Sequence, residues 1–226
     1  MTEREDPAYE TIRERIRSFP EEKLYCIKVG ANDGLTGDPF GQLLLEDKRW
    51  HGLMLEPVPH CFERLKANFP DERFKHYQTA VSDKERWAME FYYVNPELAK
   101  LRPDIPCWAY QLGSFDKQHI LKHFNGLPDE CLIALKIDTV TLNPVVDELE
   151  EQFQTSRLDL LHIDTEGHDY KVLRMYDWAL TPRVIVVEHC HLPNEELYPL
   201  LGILMGRGYQ VEATDMDYIC VLPEGK

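Results

Sequence analysis

The sequence predicts one α/β domain in which a mostly parallel sheet is covered by helices on both faces. Three observations predict it. Short apolar, β-leaning runs alternate with segments of helical periodicity over residues 24–81 and again over 158–205, which is the pattern of a parallel sheet with crossover helices. The first run closes on a glycine-containing turn, Gly30-Ala31-Asn32-Asp33-Gly34, at the strand end where such sheets gather ligands. The chain has 226 residues, a length that suits a single domain, 1–226, with modest insertions.

The elements follow in order. Residues 1–20 read as an acidic N-terminal helical extension. Residues 24–30 (LYCIKVG) are a first strand, and 39–49 carry a helical pattern in Phe40, Leu43 and Leu44. Residues 52–56 (GLMLE) are a second strand, stopped by Pro57. Residues 59–69 form a second helix with Phe62 and Leu65 on one face, and 74–81 a third strand. Right-handed crossovers make this arrangement doubly wound. The middle is less regular. Residues 89–94 (MEFYYV) suggest a strand. The stretch from about 95 to 130, rich in Pro, Trp and Tyr and with a short helix at 116–124, reads as an insertion or cap. A strand lies within 132–142, and a helix opens near Asn143 and Pro144, since proline is accepted at the first helical position. Residues 158–164 (LDLLHID) are a buried strand, 167–178 a helix, 182–187 (PRVIVV) a strand and 195–205 a helix. Residues 208–213 and 218–222 form a closing hairpin.

Composition narrows the partners. Forty Asp and Glu outnumber 25 Lys and Arg, for a formal charge of -15. Nucleic-acid binding needs cations against phosphates, and anionic membrane surfaces need the same. With no Lys/Arg run of five or more, neither partner is expected. The six cysteines form no C-x-x-C pair and read as reduced packing residues. With no apolar leader and no run of about 18 apolar residues, a cytoplasmic location is expected. A homodimer is the expectation from the frequency of that state.

The turn at Gly30–Gly34 tolerates positive φ and leaves room for a ligand at the backbone. Glu56, closing the second strand, can accept hydrogen bonds from both hydroxyls of a ribose. Together they describe an adenosine site. A dinucleotide site favours G-x-G-x-x-G with a helix N-terminus aimed at a pyrophosphate. Here the spacing is G-x-x-x-G, and Asp33 would repel a pyrophosphate. The loop suits instead the amino-acid end of S-adenosylmethionine (SAM), where an ammonium lies near a sulfonium. This disfavours an NAD(P)-dependent oxidoreductase; a purely structural turn is the plain alternative.

Five stretches, VGANDG (29–34), GLMLEPVPHCFERLKAN (52–68), AVSD (80–83), LDLLHIDTEGHDYKVLR (158–174) and VIVVEH (184–189), resemble the FkbM family of SAM-dependent methyltransferases, in the family's order. The resemblance implies a Rossmann-like class I methyltransferase: a mostly parallel seven-stranded sheet with a reversed final strand. It implies that Gly30, Asn32, Asp33 and Gly34, with Ala31 between them, form the SAM loop. It places Glu56 on the ribose, with Pro57 beside it, and Ser82 and Asp83 near the adenine. Lys28 departs from the family, where an acidic residue is more usual. Members act mainly in O-methylation of sugars and natural products, so a small-molecule or glycan acceptor is expected.

A methyl acceptor must lie in line with the sulfonium, and a hydroxyl must lose its proton. Asp164, Glu166, His168 and Asp169 follow one strand; Glu188, His189 and His191 follow the next. His168 and His189 are base candidates because imidazole titrates near neutrality. Asp164 can orient a base or the acceptor, and also reach the cofactor; Glu166 completes the catalytic set. Asp164, Asp169 and Glu188 are the candidate ligands for a Mg²⁺ that would acidify the hydroxyl. Plainer readings stand beside these. Asp164 and Glu166 suit helix capping, His168 a solvated helix position, Glu188 an ion pair, and His162 core packing. His119 and His123 share one helical face at i, i+4; they can bind a metal, though a solvated face is expected. Trp108, Tyr110, Gly113, Ser114 and Phe115 are expected to cap the acceptor pocket and shield it from water. The reading is O-methylation of a hydroxyl; N-methylation on the same scaffold and a non-catalytic SAM-binding protein are the alternatives.

Overall fold

Along the central strands, successive apolar side chains fall on opposite faces, and each face is covered by its own helices. A computed structural model describes residues 6–100, 105–124 and 131–223. Residues 1–5 of the N-terminal extension and parts of the cap expected at 95–130 lie outside the described residues. Helix α1 (Pro7–Arg17) is followed by β1 (Leu24–Val29), α2 (Gly41–Glu46), β2 (Trp50–Leu55), α3 (Pro59–Asn68) and β3 (Phe74–Tyr77). Then come β4 (Ala80–Val81), β5 (Arg86–Val94), β6 (Gly113–Ser114), α4 (Lys117–Lys122), β7 (Leu132–Val140) and α5 (Leu142–Phe153). The chain closes with β8 (Leu160–Ile163), α6 (Asp169–Leu173), β9 (Val184–Glu188), α7 (Asn194–Gly206), β10 (Gln210–Ala213) and β11 (Asp217–Val221).

The main sheet has seven strands in the order β10-β11-β9-β8-β1-β2-β3. All pairs from β9 to β3 are parallel, and β11 runs antiparallel to both of its neighbours. The predicted closing hairpin is therefore β10–β11, and its second strand supplies the reversed direction. The two-residue period of a strand sorts the core. Leu24 and Cys26 of β1, Leu160 of β8 and Val184 and Val186 of β9 pack with α1, α2 and α3. Tyr25, Ile27 and Val29, Leu161 and Ile163, and Ile185 and Val187 pack with α5, α6 and α7. Each such aliphatic side chain, fully buried, contributes about 1.5–3 kcal/mol. Helix α1 belongs to this core. Asp6 caps it by accepting from Ala8 N, Ala8, Ile12 and Ile16 repeat every four residues on its buried face, and the Tyr9 hydroxyl donates to Asp217 on β11.

Two buried polar residues lie side by side in the middle of the sheet. Lys28 on β1 is buried and paired with Asp38; burial pushes its amine down to about 7. Its register partner on β8, His162, meets the Phe40 ring edge-on at 5.8 Å and is held neutral by burial. It is the packed core histidine that alternation in the strand predicts.

Three expectations change. The strand predicted over 74–81 is two strands, β3 in the main sheet and β4 in a second sheet of order β4-β7-β5-β6. The β2–β3 ladder stops because the next amide on that edge of β2, Val58 N, donates to Glu56 Oε1 instead of to the chain after Tyr77. After Tyr77 the chain therefore loses its neighbour, and Ser82 N bonds instead to Val140 O. The strand predicted within 132–142 is β7, which pairs antiparallel with β5 from Val94–Leu132 to Arg86–Thr139, outside the main sheet. The helix expected over 167–178 is only α6. Past Leu173 the chain turns to bury Tyr176 and Trp178, with Trp178 at φ 64°.

The second sheet packs Phe91, Tyr93 and Ile137 against Val58 and Cys61 at the start of α3. This lays it over the carboxyl edge of the main sheet. The cysteines Cys26, Cys61, Cys131, Cys190 and Cys220 are free thiols; the side chain of Cys107 lies outside the described residues. Among the described residues no helix is long and apolar enough to cross a membrane.

Candidate active site

A cavity of about 680 Å³ lies where the carboxyl ends of β1, β2, β8 and β9 meet the second sheet. One wall comes from the turns after β1 and β2: Gly30, Asn32, Glu56 and Pro57. A second comes from the turns after β8 and β9: Asp164, Glu166, His168, Glu188 and His191. The cap adds Trp108, Gly113, Phe115 and His123.

The first wall is built by backbone approach. Gly30 has φ +73°, and a Cβ there would lie 1.6 Å from the carbonyl oxygen of Asp164. Only glycine satisfies both conditions. The N–H groups of Gly30 and Ala31 donate to Leu55 O at 3.0 and 2.9 Å. Glu56 then ties the two turns together: Oε2 accepts from Asn32 N and Oε1 from Val58 N, each at 2.7 Å. A carboxylate oxygen accepts more than one hydrogen bond, so capacity remains for two hydroxyls. Burial raises the Glu56 carboxyl to about 7; the two amides oppose this, and Glu166 and Asp33 add to it. Asn32 Oδ1 is buried without a hydrogen-bond partner among the described residues, as a ligand-facing group would be.

The other residues of this loop serve the loop itself. Asp33 accepts from Leu35 N, Thr36 N and Thr36 Oγ1 at 3.0, 2.7 and 2.8 Å. Burial alone would raise its pKa, and these bonds outweigh it and hold the carboxyl below the usual range. Gly34 gives room to α3, since a Cβ there would meet the Phe69 ring at 2.4 Å. Ala31 is buried in the core. Ser82 and Asp83, expected near the adenine, stand behind the cavity surface, which Thr79, Ala80 and Val81 supply in their place. Ser82 Oγ is 3.0 Å from His168 Nε2, and Asp83 is paired with Arg86 and Arg174, each at 3.3 Å.

The second wall is dense in ionisable groups. Asp164 is half-buried on the cavity lining, and its carboxyl is raised well above the usual range by loss of solvent, then by Glu166, Asp169 and Asp217. Burial, then Asp164, Asp169 and Glu166, raise Glu188. Glu188 Oε2 has no hydrogen-bond partner among the described residues, a costly state unless a ligand completes it. His168 faces the cavity with its ring 5.6 Å from that of Phe115. Burial and Lys171 push its imidazole down to about 4, so it is neutral and weakly basic.

Other sequence-predicted residues turn elsewhere. His189 lies off the cavity: Nε2 is 3.1 Å from the Thr214 carbonyl, to which it donates, and its ring lies 4.2 Å from that of Tyr218. His191, two residues on, lines the cavity. Asp169 fastens its own turn, accepting from Thr165 N at 2.9 Å and Gly167 N at 3.1 Å, and it is buried behind the cavity lining. The expected set Asp164, Asp169 and Glu188 does not converge. Among the described residues, the groups whose ligand atoms lie within 4.8 Å of one another are His119, His123, Glu166 and His191, and Glu188, Cys190 and His191. His119, expected on a solvated face, is buried. In the cap, Trp108, Gly113 and Phe115 reach the cavity. The carbonyl of Tyr110 bonds His60 at 2.6 Å, and Ser114 Oγ accepts from Asp116 N at 3.2 Å.

The strand order, with a single reversed strand and the ligand-facing turns at the carboxyl edge, is that of a Rossmann-like class I methyltransferase. Comparison with known proteins narrows this. Residues 28–211 match the family model described as the methyltransferase FkbM domain, and the chain belongs to this family of SAM-dependent methyltransferases. Among solved structures, the methyltransferase FkbM from Methylobacillus flagellatus KT shares the fold, with a TM-score of 0.54 and 14% identity over 94% of this chain and 47% of that one. The chain thus spans about half the length of that relative. A precorrin-6y C5,15-methyltransferase from Geobacter metallireducens GS-15 gives 0.44 at 13% identity, over 97% and 88%. The N-terminal domain of human METTL16 gives 0.46 at 13%, over 97% and 68%. No curated protein matches the sequence.

Proposed function

We propose that this protein transfers the methyl group of SAM to a hydroxyl of a small molecule or glycan. The observation that carries the reading is the unpartnered, buried Oε2 of Glu188 on the same cavity as Glu56. Glu56 accepts the ribose hydroxyls, and the Gly30 turn lets the amino-acid end approach the backbone. The bound donor supplies an activated methyl carbon, which forms a bond to the acceptor oxygen as its bond to sulfur breaks, leaving S-adenosylhomocysteine. Glu188 accepts the hydrogen bond of the acceptor hydroxyl, and Asp164 beside it helps to hold the departing proton. A carboxylate in a dry site has a high proton affinity, which suits it to this task. His168 orients rather than abstracts, since its imidazole is a weak base and it is engaged with Ser82. Phe115 and Trp108 keep water from the reacting atoms.

The test is turnover with isotopically labelled SAM against paired acceptors bearing hydroxyl or amino groups, with products assigned by NMR. Oxygen-linked methyl groups are expected. Products labelled only on nitrogen would replace this reading with N-methylation. Glu188→Gln should lower kcat by about 100-fold or more, the scale of a positioned acid–base group, while SAM affinity stays within a factor of about three.

A further inference from the structure

Three histidines and a glutamate converge at the cavity wall from three separate elements. His119 and His123 come from α4 and its C-terminus in the cap, Glu166 from the turn after β8, and His191 from the turn after β9. Their ring centres form a near-equilateral triangle, 5.2 Å for His119–His123, 5.1 Å for His119–His191 and 5.1 Å for His123–His191. Three imidazoles bound to one tetrahedral ion at about 2.0–2.1 Å would have ring centres about 5.2 Å apart. Glu166 Oε2 lies 3.4 Å from His119 Nε2 and 3.5 Å from His191 Nε2. These are long for hydrogen bonds. They match the separation of about 3.4 Å between two donors on one tetrahedral ion.

Further observations point the same way. His123 Nε2 is buried and has no hydrogen-bond partner among the described residues. The Glu166 backbone adopts φ 54°, uncommon for a residue with a long side chain, to bring its carboxylate to the histidines. Asp164 and Glu188 are also on this wall, so a cation here meets favourable charge. Trp108 holds His123 in place, its ring edge-on at 6.0 Å.

We propose that His119, His123, Glu166 and His191 form a binding site for one divalent transition-metal ion of the zinc class, which clips the cap to the two strand-end turns. Imidazole donors with a single carboxylate favour zinc, cobalt or nickel over magnesium. Four protein ligands complete a tetrahedral shell, so the ion positions the cap and takes no part in methyl transfer. The site stands independently of the acceptor reading.

The experiment is titration of chelator-treated full-length protein with Zn²⁺ and separately with Mg²⁺, read by calorimetry and by elemental analysis after dialysis. Co²⁺ serves as the spectroscopic probe. One Zn²⁺ per chain is expected, no Mg²⁺ uptake, and the intense visible absorption that four-coordinate cobalt shows and six-coordinate cobalt does not. His123→Gln and His191→Gln should each weaken Zn²⁺ by more than about 100-fold, beyond what loss of an outer-shell partner costs, with the far-UV dichroism of the parent. His51→Gln, outside the cluster, should bind as the parent does, and Glu56→Gln should keep the metal even where it loses SAM. No Zn²⁺ uptake, uptake untouched by both cluster variants, or a six-coordinate cobalt spectrum would each overturn the site.

Discussion

The two walls of the cavity solve the problem of holding a ligand in different ways. The wall from β1 and β2 works with main chain: Gly30 pressed against the Asp164 carbonyl and one buried carboxylate taking two amides. The wall from β8, β9 and the cap works with side chains, gathered from distant stretches of sequence. Main-chain geometry suits a ligand that never changes; a side-chain wall can be rebuilt for a new acceptor without disturbing the sheet. This division explains why fold and donor are readable from family membership while the acceptor is not.

The contrast can be broken most severely at Gly30. Gly30→Ala forces a Cβ into the Asp164 carbonyl at a positive φ, and should cost on the order of 3 kcal/mol or more in denaturant unfolding, with SAM binding lost. Parent stability in this variant would mean that the main-chain wall yields. Next comes Glu56→Gln, which should weaken SAM by roughly 1.5–3 kcal/mol in calorimetry. An unchanged Kd would move the ribose elsewhere.

The same residue sets a pH response. The Glu56 carboxyl lies at about 7 in the fold against an ordinary 4.5. The folded state therefore holds a proton that the unfolded chain has released. Its stabilising contribution is complete below about 4.5 and is lost as pH rises through about 7, with a slope of up to about 1.4 kcal/mol per pH unit. Urea midpoints of the ligand-free parent and Glu56→Gln should diverge across that window; parallel curves would refute the shift.

On the side-chain wall the effects should be smaller and confined to the acceptor. Trp108→Ala should raise the acceptor KM about tenfold, near 1.4 kcal/mol, with SAM affinity near the parent value. Loss of SAM binding instead would place Trp108 on the donor. Smallest of all, His189→Ala should change kcat by less than about twofold, because its ring faces Thr214 and Tyr218 rather than the cavity.

The sequence made the main-chain wall legible because its signals are local. A glycine after an apolar run and a glutamate before a proline each declare themselves within a few residues. The second sheet was not legible in the same way. Apolar alternation marks β7 as a strand, but its partner β5 is chosen by pairing across some 40 residues, and β4 joins them only after Val58 N has turned to Glu56 Oε1 and ended the β2–β3 ladder. The side-chain wall was half legible: acids and histidines after β8 and β9 were visible as a group. Which of His189 and His191 turns inward is decided by the hydrogen bond to Thr214, which only the β10–β11 hairpin supplies. The burial of His119 depends on α4 docking against Glu166 and His191, a long-range event that i, i+4 spacing does not encode.

The hydroxyl of Tyr9 meets its acceptor 208 residues downstream, on β11. During synthesis α1 leaves the ribosome before every strand of the main sheet and waits for its partner until β11 has followed. At about 5–20 residues per second that interval is on the order of 10–40 seconds. The sheet is fastened by a clasp whose two halves are made at opposite ends of that interval.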